Sequence, residues 1–348
     1  MTRAFGMRTS TGAPVLLRQL GGLAAIDCGS NSTRLLVVDP SGRPLVRLMH
    51  ITRLGRGVDG ERRLAPDAIA RTVEVLDDYR AVMDDCGVAR VKMTATSAAR
   101  DARNRETFFS AAEAIVGVRP ELLTGEEEGR LSFAGATAGL DGAGAPYLVA
   151  DIGGGSTEVA VGPVSSSGAG RLEPVAVRSL DMGCVRVTER WLAGDPPTAR
   201  QLGAARRAVD EALVELSEQV PATRQAATLI GLAGTVAALA AIDQGLVLDG
   251  RDPDGCDHVG RDLVGRERRR DRLHHYRLAR SSVDALLADL AGRRAAERVA
   301  RQGVEAGRAD VIVGGALVLA AVMDHFGFDS CLTSEADILD GLVMSLLD

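Results

Sequence analysis

Lysine is almost missing from this chain of 348 residues: Lys92 is the only one, and every other strong base is an arginine. A planar guanidinium makes forked contacts to phosphate or carboxylate, where an ammonium acts as a point charge. An excess of positive charge is missing too. The net charge of −6 excludes a general nucleic-acid binder and requires that any polyanionic ligand be met by locally gathered arginines. No C-x-x-C pair occurs among the five cysteines, Cys28, Cys86, Cys184, Cys256 and Cys331. Their odd number and wide spacing argue against a structural zinc site and for a reducing, cytoplasmic compartment. The longest apolar run, around Val311 to Met323, falls short of the roughly 20 residues that cross a bilayer. It is expected to form a buried helix, and no membrane is expected as a partner. Residues 1–22 lack the charged start, apolar stretch and small-residue cleavage site of a secretory leader, and are expected to form a loose extension.

What is present is the composition of a globular α/β protein, 46% hydrophobic and 25% charged, in a chain long enough for two domains. Two segments look alike. Leu23 to Asp27, then Cys28-Gly29-Ser30-Asn31-Ser32-Thr33, runs into Leu35 to Val38; Leu148 to Asp151, then Ile152-Gly153-Gly154-Gly155-Ser156-Thr157, runs into Val159 to Val161. Each reads as a buried strand ending in an aspartate, a glycine-bearing turn and a second apolar strand. One domain plan is therefore expected twice. Between the copies, Ile69, Val73, Leu76 and Met83 keep helical spacing. Val88 to Thr96 reads as a strand, Ser97 to Arg103 as a polar turn, and 104–116 as a helix. Pro120 to Leu123 reads as a short strand before a capping box at Thr124-Gly-Glu-Glu127. After the second copy, Val164 to Arg171 reads as a loop, Gly231 to Thr235 as a glycine turn between strand and helix, and Asp249 to Arg272 as an exposed loop. Ser334 is expected to cap a last helix over Ala336 to Leu347.

The two turns have the composition of a phosphate and metal cradle. Glycines let backbone N–H groups converge, Ser30, Asn31, Ser156 and Thr157 add donors, and Asp27 and Asp151 can hold magnesium. One such turn alone is equally well a tight hairpin, but two behind matching strands are not. The turn at Gly231 to Thr235 reads more readily as a helix-packing device. Arg100 follows a strand end, where a guanidinium can clamp phosphate, although position alone would equally suit a solvated surface arginine. Of the acidic triplet, Glu126 suits the helix dipole and Glu127 the capping box. Glu128 is left over, and a carboxylate that takes a proton from attacking water is what phosphoanhydride hydrolysis needs. The arginines from Arg261 to Arg272 suit a polyanion or a plain solvated loop.

Taken in order, Ala25 to Ser32, Ala95 to Arg100, Thr124 to Arg130, Asp151 to Glu158, Met182 to Cys184, Gly231 to Thr235 and Ser334 to Gly341 resemble the exopolyphosphatase and guanosine pentaphosphate phosphohydrolase family. The resemblance covers about Leu23 to the C-terminus. It implies two actin-like (ribonuclease H-like) domains with the active site in the cleft between them. Domain I is expected over 23–138, with helix 336–348 returning to pack on it, and domain II over 139–335. The resemblance also implies magnesium-dependent removal of terminal phosphates by water. It casts Glu128 and Asp151 as catalytic, and Ser30, Asn31, Arg100, Gly153, Gly154, Gly155, Ser156 and Thr157 as phosphate contacts. Asp151, Asp27 and Glu158 are its metal carboxylates. Inorganic polyphosphate is the expected substrate, with guanosine pentaphosphate as the rival; a homodimer stays open, and no nucleic acid is expected. Longer family members carry further helical domains, so grip on long chains is left open, as are the variations Cys28 and Thr33. A superfamily kinase is disfavoured by the acidic cluster, and a non-catalytic nucleotide-dependent module is the rival of a different class.

Overall fold

The computed structural model describes residues 21–140, 142–163, 174–246, 270–300 and 303–347. The loop readings at 164–171 and over most of 249–272, and the extension up to residue 20, lie outside them.

The first half carries strands β1 (Gly22–Cys28), β2 (Ser32–Val38), β3 (Pro44–Ile51), β4 (Val88–Ala95) and β5 (Glu121–Leu122). Its helices are α1 (Val58–Glu61), α2 (Pro66–Asp85), α3 (Ser97–Asp101), α4 (Arg105–Val116) and α5 (Gly125–Thr137). The second half carries β6 (Tyr147–Ile152), β7 (Thr157–Gly162), β8 (Ala176–Leu180), β9 (Thr228–Leu232), β10 (Arg277–Ala279) and β11 (Ser330–Thr333). Its helices are α6 (Cys184–Trp191), α7 (Ala199–Gln219), α8 (Ala233–Asp243), α9 (Arg280–Ala291), α10 (Ala295–Val299), α11 (Ile312–Phe326) and α12 (Ile338–Leu347).

The repeat foreseen from the two aspartate turns governs the topology. The first sheet has the order β3-β2-β1-β4-β5 and the second the order β8-β7-β6-β9-β11-β10. In each, two antiparallel strands lead to a central strand, β1 or β6, that is antiparallel to its neighbour among them and pairs in parallel with the next strand, β4 or β9. The second sheet adds β10 antiparallel at its edge. This is the actin-like plan, present twice.

Both central strands are buried along their whole length because both faces of each sheet are covered. Alternate residues point to opposite faces. Ala24, Ile26 and Cys28 enter a core with Leu76, Tyr79, Met83 and Phe108, while Leu23 and Ala25 meet Ile338, Leu342 and Val343 of α12. Likewise Leu148, Ala150 and Ile152 enter the core that buries α11, while Tyr147 and Val149 meet Phe133 and Ala136 of α5. Helices α5 and α12 thus lie between the two sheets, α12 against the first and α5 against the second. They cross with backbones nearly touching: a Cβ on Gly135 or Gly341 would overlap the carbonyl of Asp337 or Leu131 respectively.

Two local readings are corrected. Ser97 to Arg103 is not an irregular turn: the Thr96 carbonyl accepts from the Ala99 and Arg100 N–H groups and starts the short helix α3. The last helix begins at Ile338, two residues later than read, because Asp337 is the capping side chain. Its Oδ1 accepts from the Leu339 N–H at 2.9 Å, and Asp340 accepts from the Asp337 N–H at 2.8 Å. Ser334 Oγ serves the preceding turn, accepting from the Ala336 N–H at 3.1 Å. The capping box at Thr124 is formed as read. Among the described residues, no helix is long and apolar enough to cross a membrane.

Candidate active site

The two hairpin turns meet tip to tip. A Cβ placed on Gly154 would lie 2.9 Å from Ser30 Cβ and 3.0 Å from the Asn31 nitrogen, so only a glycine permits this approach. The turns match in detail: in the first, a Cβ on Gly29 would sit 3.1 Å from the Ser32 carbonyl, and in the second, one on Gly153 would sit 3.1 Å from that of Ser156.

Their backbone polarity is sorted the same way. The Ser30 carbonyl accepts from the Gly55 N–H at 2.7 Å, and the Gly153 and Gly154 carbonyls accept from the Cys184 and Val185 N–H groups at 2.9 and 2.8 Å. Across a planar trans peptide the carbonyl and the following N–H point in opposite directions. With the carbonyls turned outward, the N–H groups of Asn31, Gly154 and Gly155 face inward, and among the described residues they find no acceptor. Donors lining a cavity without a protein partner are open to a ligand's oxygens. Asn31 Nδ2 is a further buried donor without a partner. Four unmet donors converging between two turns form an anion cradle.

A cavity of about 170 Å³ opens at this point. Its walls include Asp27, Ser30, Asn31, Glu128, Asp151, Gly153, Gly154, Gly155 and Ser156, which brings most of the sequence-predicted residues to one crevice. Three do not line it. Thr157 alternates with Ser156 and points to the other side of β7, where its hydroxyl donates to the Met182 carbonyl at 2.7 Å. Glu158 is 1% exposed behind the wall, accepting from Ser179 Oγ at 2.7 Å. Arg100 is engaged from behind: its Nη1 donates to Glu128 Oε2 at 2.7 Å and to the Leu123 carbonyl at 2.9 Å, and its Nη2 lies 3.5 Å from Ser156 Oγ. Its guanidinium orients Glu128.

Sequence reasoning missed several participants. Ser132 donates to Asp151 Oδ2 at 2.6 Å; its i, i+4 relation to Glu128 on α5 is the signal that would have found it. Arg34 bonds both Asp27 and Asp337 at 2.6 Å, and Arg47 reaches Asp337 and Asp340. Both arginines line the cavity, as do Arg308 and Cys184. Arg34 sits two residues beyond Ser32 on β2, so strand alternation marks its side of the sheet, but nothing local marks its carboxylate partners 7 and 303 positions away.

Burial dominates the electrostatics. It pushes the Asp151 carboxyl up to about 6, with Asp337 and Asp27 adding to the rise and Arg34 and Ser132 opposing it. It pushes Glu158 up to about 7, helped by Asp151, raises Asp27, and holds Glu128 well above the ordinary carboxylate range, with Glu158 adding and Arg100 opposing. For Asp337, burial is outweighed by Arg34 and Arg47, and its carboxyl is held low. A cluster of carboxylates pushed upward marks a site prepared for protons or cations.

Glu158 gives this a stability signature. Below pH 4.5 folded and unfolded chains both hold its proton; between 4.5 and about 7 only the folded chain does, so stability falls as pH rises through that window and levels off above it. Glu158→Gln cannot ionise. Its stability relative to the parent chain is expected to improve as pH rises from 4.5 to about 8. Denaturant unfolding at the two pH values reads this, and a constant difference would contradict the assignment.

Among the described residues no group of three or more His, Cys, Asp or Glu side chains is gathered as a metal cage, so Asp27, Asp151 and Glu158 do not form one. Asp27 Oδ1 is buried without a partner, and Asp151 shares the same cavity wall. Two carboxylates beside an anion cradle fit magnesium, which keeps several waters and is held by one or two carboxylates plus phosphate oxygens.

The sequence model of the Ppx/GppA phosphatase family matches residues 37–348. Exopolyphosphatase 2 of Mycobacterium tuberculosis is 39% identical over 340 residues, which cover 93% of this chain and 98% of that protein. A guanosine-5'-triphosphate,3'-diphosphate pyrophosphatase of Vibrio campbellii is 29% identical over 93% of this chain, but over only 59% of its own length. Among solved structures, an exopolyphosphatase from Cytophaga hutchinsonii superimposes with a TM-score of 0.80 at 25% identity, covering 94% of this chain and 98% of that one. An exopolyphosphatase-like protein does so with a TM-score of 0.81 at 34% identity, covering 93% and 98%. Sequence match and shared architecture agree with the paired turns and their cavity: the chain belongs to the Ppx/GppA phosphatase family.

Proposed function

We propose that the protein is an exopolyphosphatase, releasing orthophosphate from the end of inorganic polyphosphate by attack of water. The observation that carries this reading is the meeting of two turns with inward N–H groups in the same crevice as Glu128. A terminal phosphoryl group held between Asn31 and Gly154 has its oxygens on donors from both halves of the molecule. Glu128 takes a proton from water as the water oxygen bonds to phosphorus; the bond from phosphorus to the bridging oxygen breaks, and the shortened chain leaves with the negative charge. Arg100 holds Glu128 in place and opposes the rise in its pKa caused by burial. Ser132 fixes the rotamer of Asp151. Asp151 and Asp27 would hold magnesium, which would supply positive charge against the substrate's phosphate oxygens. The 39% identity to a protein named exopolyphosphatase supports this choice of substrate.

Asp151→Asn is expected to shift the magnesium dependence of phosphate release to higher concentration, because one anionic oxygen is lost; an unchanged titration would contradict metal binding there. Guanosine pentaphosphate is the second substrate to test, favoured by the similarity to the longer Vibrio protein. The deciding assay measures phosphate release from polyphosphates of graded length, guanosine pentaphosphate and ATP, with and without magnesium. Release from polyphosphate is expected. Release from pentaphosphate alone would favour the rival, and tight ATP binding with no release from any of them would favour a non-catalytic module.

A further inference from the structure

Behind the facing turns lies a small recess between the two halves, lined by Ser30, Asp59, Ser97, Asp101, Gly155 and Arg186. Arg186, in the first turns of α6, is 5% exposed and faces three carboxylates. Its guanidinium donates to Asp101 and lies 2.6 Å from Asp181 and 3.4 Å from Asp59. Around it, Arg190 pairs with Asp59 at 2.6 Å, Arg62 pairs with Asp101 at 3.0 Å, and Glu189 accepts from the Gly57 N–H at 3.0 Å. Arg186, Glu189 and Arg190 occupy one helical face, and that face is spent on α1, α3 and the loop before α1, all in the other half.

Both ends of this contact lead to the phosphate cradle. The first N–H groups of α6 hold the carbonyls of Gly153 and Gly154. On the other side, α3 carries Asp101 next to Arg100, and its Ala98 N–H donates to Ser30 Oγ at 3.1 Å. Plain cohesion between the halves needs no buried guanidinium, since a packed apolar side chain costs less to desolvate. A planar fork set against carboxylates from both halves fixes where one sits relative to the other.

We infer that Arg186 is a positioning residue: it holds α6 against α1 and α3 and so keeps the Gly154 turn in register with the Ser30 turn and with Arg100. Without it Asp59 and Asp101 of one half face Asp181 of the other with no guanidinium between them, the halves part, and the cradle is assembled only part of the time. The inference rests on the exopolyphosphatase reading for its effect on turnover and on geometry alone for its effect on shape.

The test compares the parent chain with Arg186→Met, Arg186→Lys, Asp101→Asn and the Arg186→Met/Asp101→Asn pair, by small-angle X-ray scattering, thermal unfolding and phosphate release. Arg186→Met is expected to enlarge the radius of gyration and lower kcat on the order of a hundredfold at temperatures well below its unfolding midpoint, the scale of loss when reacting groups move by about an ångström. Arg186→Lys keeps the charge without the fork and is expected to lose roughly tenfold. The paired variant is expected to lose no more than the worse single one, because both act through one contact. Unchanged scattering in Arg186→Met and Arg186→Lys, or losses that multiply in the pair, would overturn the inference. A parent chain inert on polyphosphate would instead overturn the functional reading, leaving scattering to decide on Arg186.

Discussion

Glu128→Gln is expected to lower phosphate release by roughly a hundred- to ten-thousand-fold, the usual contribution of a positioned carboxylate base, while leaving polyphosphate affinity within a few-fold. Glutamine keeps the volume of the side chain and an oxygen that can still accept from Arg100 Nη1, so the 2.7 Å contact and the cavity wall survive. Only the ability to take a proton is lost. The pH profile should change with it. Because burial and Glu158 hold the Glu128 carboxyl above the ordinary range, its ionised fraction grows with pH, and the acid limb of kcat in the parent chain is expected above the usual glutamate value. The part of that limb due to Glu128 should be lost from the residual activity of the variant, leaving the part set by Asp151 at about 6. Turnover at the parent rate, or an unaltered acid limb, would remove Glu128 from the chemistry. Affinity and turnover falling together would make it a substrate contact instead.

Gly154→Val is expected to cost on the order of a hundredfold or more in kcat/KM, with a smaller effect on overall stability. The new Cβ would lie 2.9 Å from Ser30 Cβ and 3.0 Å from the Asn31 nitrogen, and the added methyl groups have no free space on the Ser30 side. The turns must part, and N–H groups that converge on one anion then diverge. The sheets themselves need not adjust, since Gly154 lies outside β6 and β7. A variant as active as the parent chain would show that the close approach of the turns is not required, whereas one that failed to fold would show that the contact is structural.

The sequence made the repeated hairpins legible because their signal is local: a buried strand, an aspartate, glycines and a second strand lie within 16 residues (23–38) and 14 residues (148–161). The outcome was the same strand plan in both halves. The capping box left Glu128 as the one acidic residue without a local task, and it lines the cavity. What stayed hidden was long-range. The spacing of Arg34 cannot disclose Asp337, 303 positions away, and that of Arg186 cannot disclose Asp101, 85 positions away. Thr157 and Glu158 adjoin the glycine turn and so resemble site residues, but strand alternation sends Thr157 to the opposite side, and helix α5, packed over β7 at Gly129, buries Glu158 behind the wall. Position leaves Arg100 as either a phosphate clamp or a surface arginine, and its pairing with Glu128, 28 positions away, is not disclosed by any local spacing. Ser97 to Arg103 reads as a turn because Ser and Arg mask the helix-forming Ala98 and Ala99 that lie within α3.

The most direct test is a crystal structure of the Glu128→Gln protein with a short linear polyphosphate and magnesium. One terminal phosphoryl group is expected, hydrogen-bonded to the N–H groups of Asn31 and Gly154 at once, with residue 128 facing its phosphorus from the side opposite the bridging oxygen. A chain end held by a single turn, or lying outside the crevice, would contradict the account.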